Sequence, residues 1–207
     1  MFRSVLLVVF LAAGSLPAQA ELSGNIGWQS QYIFRGIPQS TSSAQGGLDY
    51  ESGGFYLGTW AADVGTGAEI DAYGGYGWTA GDFSFGIGTT AYFYTDQFDD
   101  NYLELNLNGG YGFVTIDVAV GRYDNFAGPT LDYTFASATF EHESGLYGII
   151  GNFSQDFKGN YYAAGYGTTI EDFDVSLEWI YSDDKLLGGN KETNLVFSLS
   201  KGFDLNK

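Results

Sequence analysis

The sequence predicts an all-β fold: a closed antiparallel transmembrane β-barrel of about twelve strands. Three observations carry this. Apolar and polar residues alternate with period two along most of the chain, and no window after the first twenty residues shows a helical period. The alternating runs are about ten residues long, the length a tilted strand needs to cross a bilayer. Finally, 31 glycines and 18% aromatic residues stand beside only 16% charged residues, an inventory of short, evenly spaced strands rather than of disorder.

The chain opens with Arg3, an apolar run over 5–13 and the small-residue site Ala18-Gln19-Ala20. That pattern predicts a secretory signal peptide over 1–20, leaving 21–207 as one barrel domain. The formal charge of −17 argues against a nucleic-acid partner. The absence of cysteine excludes disulfides, thiolate metal sites and cysteine nucleophiles.

The first strand is expected over 22–35. Its even positions (Leu22, Gly24, Ile26, Trp28, Ser30, Tyr32, Phe34) form a largely oily face and its odd ones (Ser23, Asn25, Gly27, Gln29, Gln31, Ile33, Arg35) a largely wet one. Gly36 and Pro38 end it. Further strands are read at 43–51, 55–64, 68–78, 83–95, 102–109 and 113–123, then at 130–141, 146–153, 161–170, 175–182 and 192–203. Four-residue turns (ESGG, TAGD, GGYG, HESG, EDFD) alternate with longer polar loops (TDQFDDN, DNFAGP, SQDFKGN, DDKLLGGNK). That asymmetry is the one expected of an outer-membrane barrel, with short periplasmic turns and longer external loops.

Period two also suits a soluble β-sandwich or a lipocalin-like barrel with its oily face turned inward. The wet faces separate the two readings, because they carry glycines and acids where a soluble surface would carry lysines. In hydrocarbon every backbone amide and carbonyl must be satisfied within the sheet, which requires closure. Aromatics near strand ends, among them Trp28, Tyr32, Phe34, Tyr56, Trp78 and Trp179, are candidates for interfacial girdles.

Few motifs suggest chemistry. GIGTTA at 86–91 fits a dinucleotide-binding pattern but lies inside a strand with no helix after it. His142, the only histidine, sits in the short turn EHESG, a poor place for a catalytic base, so no enzyme role and no cofactor are expected. Asp96, Asp99, Asp100, Asp183 and Asp184 are read as solvated loop charge rather than as a metal site.

The strongest constellation is collective. Asp49, Asp63, Glu69, Asp71, Glu104, Asp117, Asp132 and Glu178 fall on wet faces against Arg35 as the one clear cation, and all are candidate pore-lining residues. Such an interior concentrates cations and repels anions. The alternative is that these carboxylates pair with Arg35, Asn and Tyr groups and plug the interior, since twelve strands lie between the filled eight-strand barrel and the open sixteen-strand one.

YIFRGIPQS at 32–40, QGGLDY at 45–50 and SGGFYLGTWAADV at 52–64 resemble the amino-terminal signature of the TorF-type porin family of exported proteobacterial proteins. The resemblance implies a Gram-negative outer-membrane location among lipid and lipopolysaccharide, and passive diffusion of small hydrophilic solutes. It also implies folding by the barrel-assembly machinery, for which Phe203 is the aromatic nearest the end of the chain. Together with the acidic wet faces, the expectation is a cation-preferring porin with Arg35 near the external mouth. The alternative is a non-conducting barrel that acts through its loops.

Overall fold

The computed structural model describes residues 20–206, and their regular elements are all strands. The signal-peptide reading of 1–20 lies outside the described residues but for Ala20. In chain order the strands are β1 (Glu21–Gln29), β2 (Tyr32–Phe34), β3 (Ile37–Ser40), β4 (Ser43–Ser52), β5 (Phe55–Asp63), β6 (Ala68–Ala80) and β7 (Phe83–Tyr94). There follow β8 (Tyr102–Tyr111), β9 (Val114–Tyr123), β10 (Leu131–Glu141), β11 (Leu146–Gln155), β12 (Gly159–Ile170), β13 (Phe173–Leu187) and β14 (Asn190–Asp204).

Twelve of these form one closed antiparallel barrel, while β2 and β3 make a separate two-stranded hairpin. Strand β1 closes the ring: its Gly27 lies opposite Gln45 of β4 on one side and Ser200 of β14 on the other. No edge is left in the ring, so each backbone group finds its partner inside the wall. Both described termini lie at one end. The tight connections at Gly53-Gly54, Gly81-Asp82 and Glu171-Asp172 share that terminal end, and the connections 95–101 and 124–130 lie at the opposite, loop end.

Sidedness is clearest on β8. Leu103, Leu105 and Leu107 are 58%, 49% and 43% exposed on the outer wall, whereas Glu104 between them is 1% exposed. The outer face is therefore apolar and the enclosed face polar, the inverse of a soluble barrel and the pattern a hydrocarbon surround demands.

The glycine content has a steric cause. Tyr73 directly opposes Gly58, Tyr133 opposes Gly121, Tyr161 opposes Gly151 and Tyr147 opposes Gly165, all on the inner face. In each pair the ring lies flat across the glycine, where a Cβ would collide with ring atoms. Tyr133 cannot easily yield, being held by Phe153 and Phe157 around it and by its own hydroxyl bond to Glu104. Gly121→Ala is thus expected to destabilise the barrel by about 1–3 kcal/mol. A lowered denaturation midpoint in detergent micelles checks this, and an unchanged midpoint would show that the ring is free to move.

Two expectations need correction. The first strand does not run over 22–35. It stops at Gln29, and the chain turns inward, so that Tyr32 is 3% exposed and sits in the lumen with Phe34 beside it instead of facing lipid. Alternation misled here because both sides of β2 are buried, one against each lumen wall. Tyr56 also points inward, with its hydroxyl over Gly88. Second, DDKLLGGNK is not a loop: β13 and β14 continue through it, past a register shift after Ser182, to the two-residue turn Gly188-Gly189. Both glycines have positive φ (66° and 113°), the requirement of a tight hairpin turn.

Candidate functional site

The β2–β3 hairpin is built by its own sequence. Arg35 and Gly36 form its two-residue turn with φ of 49° and 83°, the left-handed pair that a tight hairpin takes. Pro38 is tolerated because a two-stranded sheet is all edge. The legs are tied to the barrel: Ser30 N donates to Phe197 O at 2.8 Å, Phe197 N donates to Ser30 Oγ at 2.9 Å, and Ser40 Oγ donates to Asp63 O at 3.1 Å. Between those anchors the hairpin descends into the loop-end half of the lumen.

Its two faces pack on opposite walls. Tyr32 and Phe34 join Trp60, Ala62 and Val64 of the β5 side, while Ile33 and Ile37 pack against the cluster of Phe135, Phe153, Tyr161 and Ile180 on the β10–β13 side. At the tip, a Cβ on Gly36 would stand 2.5 Å from Tyr161 Cβ, so only glycine fits. Ser182 Oγ donates to Gly36 O at 2.6 Å, a buried bond that pins the turn to β13.

Arg35 answers one of the interior carboxylates, Glu104. Its Nη1 and Nη2 donate to Glu104 Oε1 and Oε2 at 2.5 and 3.1 Å, a two-pronged ion pair. The guanidinium is sandwiched between the rings of Phe34 and Phe135, 4.7 and 4.3 Å from their centroids. Glu104 accepts further bonds from Tyr92 (3.0 Å), Tyr133 (2.7 Å) and Asn106 (2.9 Å). Five donors surround a carboxylate whose side chain is 0% exposed. Arg35, expected near the external mouth, is instead enclosed in the lumen, and the pairing of Glu104 with Arg35, Asn106 and two tyrosines is the arrangement of the plugged-interior alternative: Arg35 is the bolt of an internal latch.

Of the other candidate lining residues, Asp49, Glu69, Asp71, Asp117 and Glu178 hold inward positions on their strands, with Glu69 and Asp71 fully buried under the hairpin. Asp49 accepts from Tyr73 at 2.5 Å. Asp63 and Asp132 are corrections. Inward positions on β5 are even-numbered, so Asp63 is exposed and accepts from Gly65 N at 2.6 Å instead of lining the lumen. Asp132 faces outward on β10 and pairs with exposed Arg122 at 3.3 Å.

The loop acids hold local structure. Asp99 accepts from Tyr102 and Tyr123, and Asp183 accepts from Asn160 and two backbone amides. His142 shares a hydrogen bond with Ser144 inside its own turn, and 86–91 lies within β7. Sequence reasoning missed Tyr92, Tyr133, Phe135 and Ser182 as latch partners, for no local pattern marks them. The local signal that could have revealed the hairpin is the Arg35-Gly36 step, a two-residue turn pattern that the continuing alternation of β1 disguised as a strand end.

The chain belongs to the family described as bacterial protein of unknown function (Gcw_chp), whose family model matches residues 13–129. The match does not confirm the TorF-type name. No curated protein matches the sequence. Among solved structures, the barrel resembles the KdgM porin at TM-score 0.59 and 8% identity, over 89% of this chain and 99% of that one. The KdgM porin in complex with disordered oligogalacturonate gives TM-score 0.57 at 7% identity, over 91% of this chain and 100% of that one. A structure from work on in-meso crystallization of membrane proteins gives 0.63 at 12% identity, over 90% and 85%. At such identities the likeness is one of fold.

Proposed function

We propose that this Gcw_chp barrel is an outer-membrane porin that passes small hydrophilic solutes, prefers cations, and has its width set by the β2–β3 hairpin. The observation that carries the reading is a closed barrel, apolar outside, whose interior holds Asp49, Glu69, Asp71, Glu104, Asp117 and Glu178 against Arg35 alone among the described residues. Carboxylates on a low-dielectric wall raise the local concentration of cations and lower that of anions. The fold shared with the KdgM porin supports passage of solutes; its oligogalacturonate is a polyanion and is not carried over to so acidic an interior. In this reading residues 1–20 export the chain and the loop end faces outward. Lipid and lipopolysaccharide surround the wall, and the assembly machinery reads the last strand near Phe203.

Reversal potentials across planar bilayers in a salt gradient test the selectivity. Cation preference is expected for the native chain, weakened in the triple variant Asp49→Asn, Asp117→Asn, Glu178→Gln. Anion preference, or a selectivity indifferent to the three substitutions, would refute it. A second reading, a barrel closed to solutes in its resting form, is favoured by the depth at which Arg35 and Glu104 are buried. It predicts conductance only when the hairpin is displaced.

A further inference from the structure

Glu69 and Asp71 occupy successive inward positions on β6, about 7 Å apart along the strand. They are 1% and 6% exposed. Glu69 Oε1 accepts from the hairpin's Tyr32 hydroxyl at 2.8 Å, while its Oε2 and Asp71 Oδ1 have no hydrogen-bond partner. Two acceptor oxygens without partners therefore stand on successive inward positions of one strand, while Trp60, which directly opposes Asp71, adds an unpartnered N–H donor that suits a bound water rather than the cation itself. Two buried carboxylates must either be matched by a cation or take up protons. Arg35 is already committed to Glu104 by both prongs, and the remaining described Lys and Arg side chains are exposed or, for Lys201, paired with Asp172.

We propose that Glu69 and Asp71 together bind one small hard cation in the lumen wall beneath the hairpin, a station on the ion path. The inference rests on the cation-preferring reading above and names the place where that preference is concentrated. Oxygen-only ligands suit calcium, magnesium or an alkali ion rather than a soft metal. No group of three or more His, Cys, Asp or Glu ligands gathers among the described residues, so water completes the coordination shell and binding is weak enough to release the ion.

The test is thermal unfolding of the full chain in detergent micelles, at one pH and one ionic strength, in calcium chloride, potassium chloride or choline chloride. A ligand that binds only the folded state raises the transition. The native chain should unfold a few degrees higher in calcium than in choline, with potassium between. Asp71→Asn, and Glu69→Gln, which keeps an acceptor for Tyr32, should each abolish the difference. Asp132→Asn, an outward-facing carboxylate away from the lumen, should retain it. Equal transitions in all three salts would mean the pair is neutralised by protons and would overturn the site, as would a calcium response surviving in either niche variant. A barrel that shows the calcium response yet never conducts would refute the porin reading and leave the site standing.

Discussion

Excising residues 30–42 and joining Gln29 to Ser43 through an inserted Asn-Gly turn is expected to raise conductance several-fold. Gln29 and Ser43 are directly paired across β1 and β4, so a two-residue turn can close the gap without shifting register. The excision removes the Tyr32, Phe34, Ile33 and Ile37 packing that fills the loop-end half of the lumen, and no barrel strand is cut. Glu104 and Glu69 become open to water, which strengthens the pull on cations as the path widens. Single-channel recording checks this, with heat-modifiable migration as evidence that the barrel still folds. Equal conductance with and without the hairpin would show that it does not obstruct the path. If the native chain forms no channels and the excised one does, the resting barrel is closed by this element alone.

The latch gives the other large effect. Arg35→Ala leaves the Glu104 carboxylate buried without its counter-ion, a change that costs about 3–5 kcal/mol when the pair is enclosed. The Arg35→Ala/Glu104→Gln double variant should recover much of that loss, since an uncharged amide under Tyr92 and Tyr133 carries no unpaired charge. Arg35→Lys should rescue poorly, because one ammonium cannot reproduce a two-pronged contact held between Phe34 and Phe135. Denaturation midpoints in micelles supply the double-mutant cycle. Additive single effects would mean that the two side chains do not act as one unit.

Both expectations turn on an element only half visible in the chain. YIFRGIPQS continues the alternation of β1, so its Tyr32 and Phe34 look like lipid-facing residues, and its Arg-Gly step looks like a strand end. What redirects it is distant: Phe197 ties down Ser30, Glu104 receives Arg35, and Ser182 receives Gly36. Asp49, Glu69, Asp71, Glu104, Asp117 and Glu178 hold the inward positions that alternation assigns them, because parity within a long strand is a local property. Asp63 and Asp132 take outward positions, because an acid near the loop end can sit on either side of the wall, where water reaches both.

Strand count, closure and the apolar exterior could be read directly from residue order, since period-two alternation and run length are set by neighbours a few positions apart. Whether the enclosed space is open or filled depended on contacts between residues as far apart as 36 and 182. Such contacts obey the curvature of the closed sheet, which brings opposite walls within reach of a short inward hairpin, and no local periodicity encodes that distance.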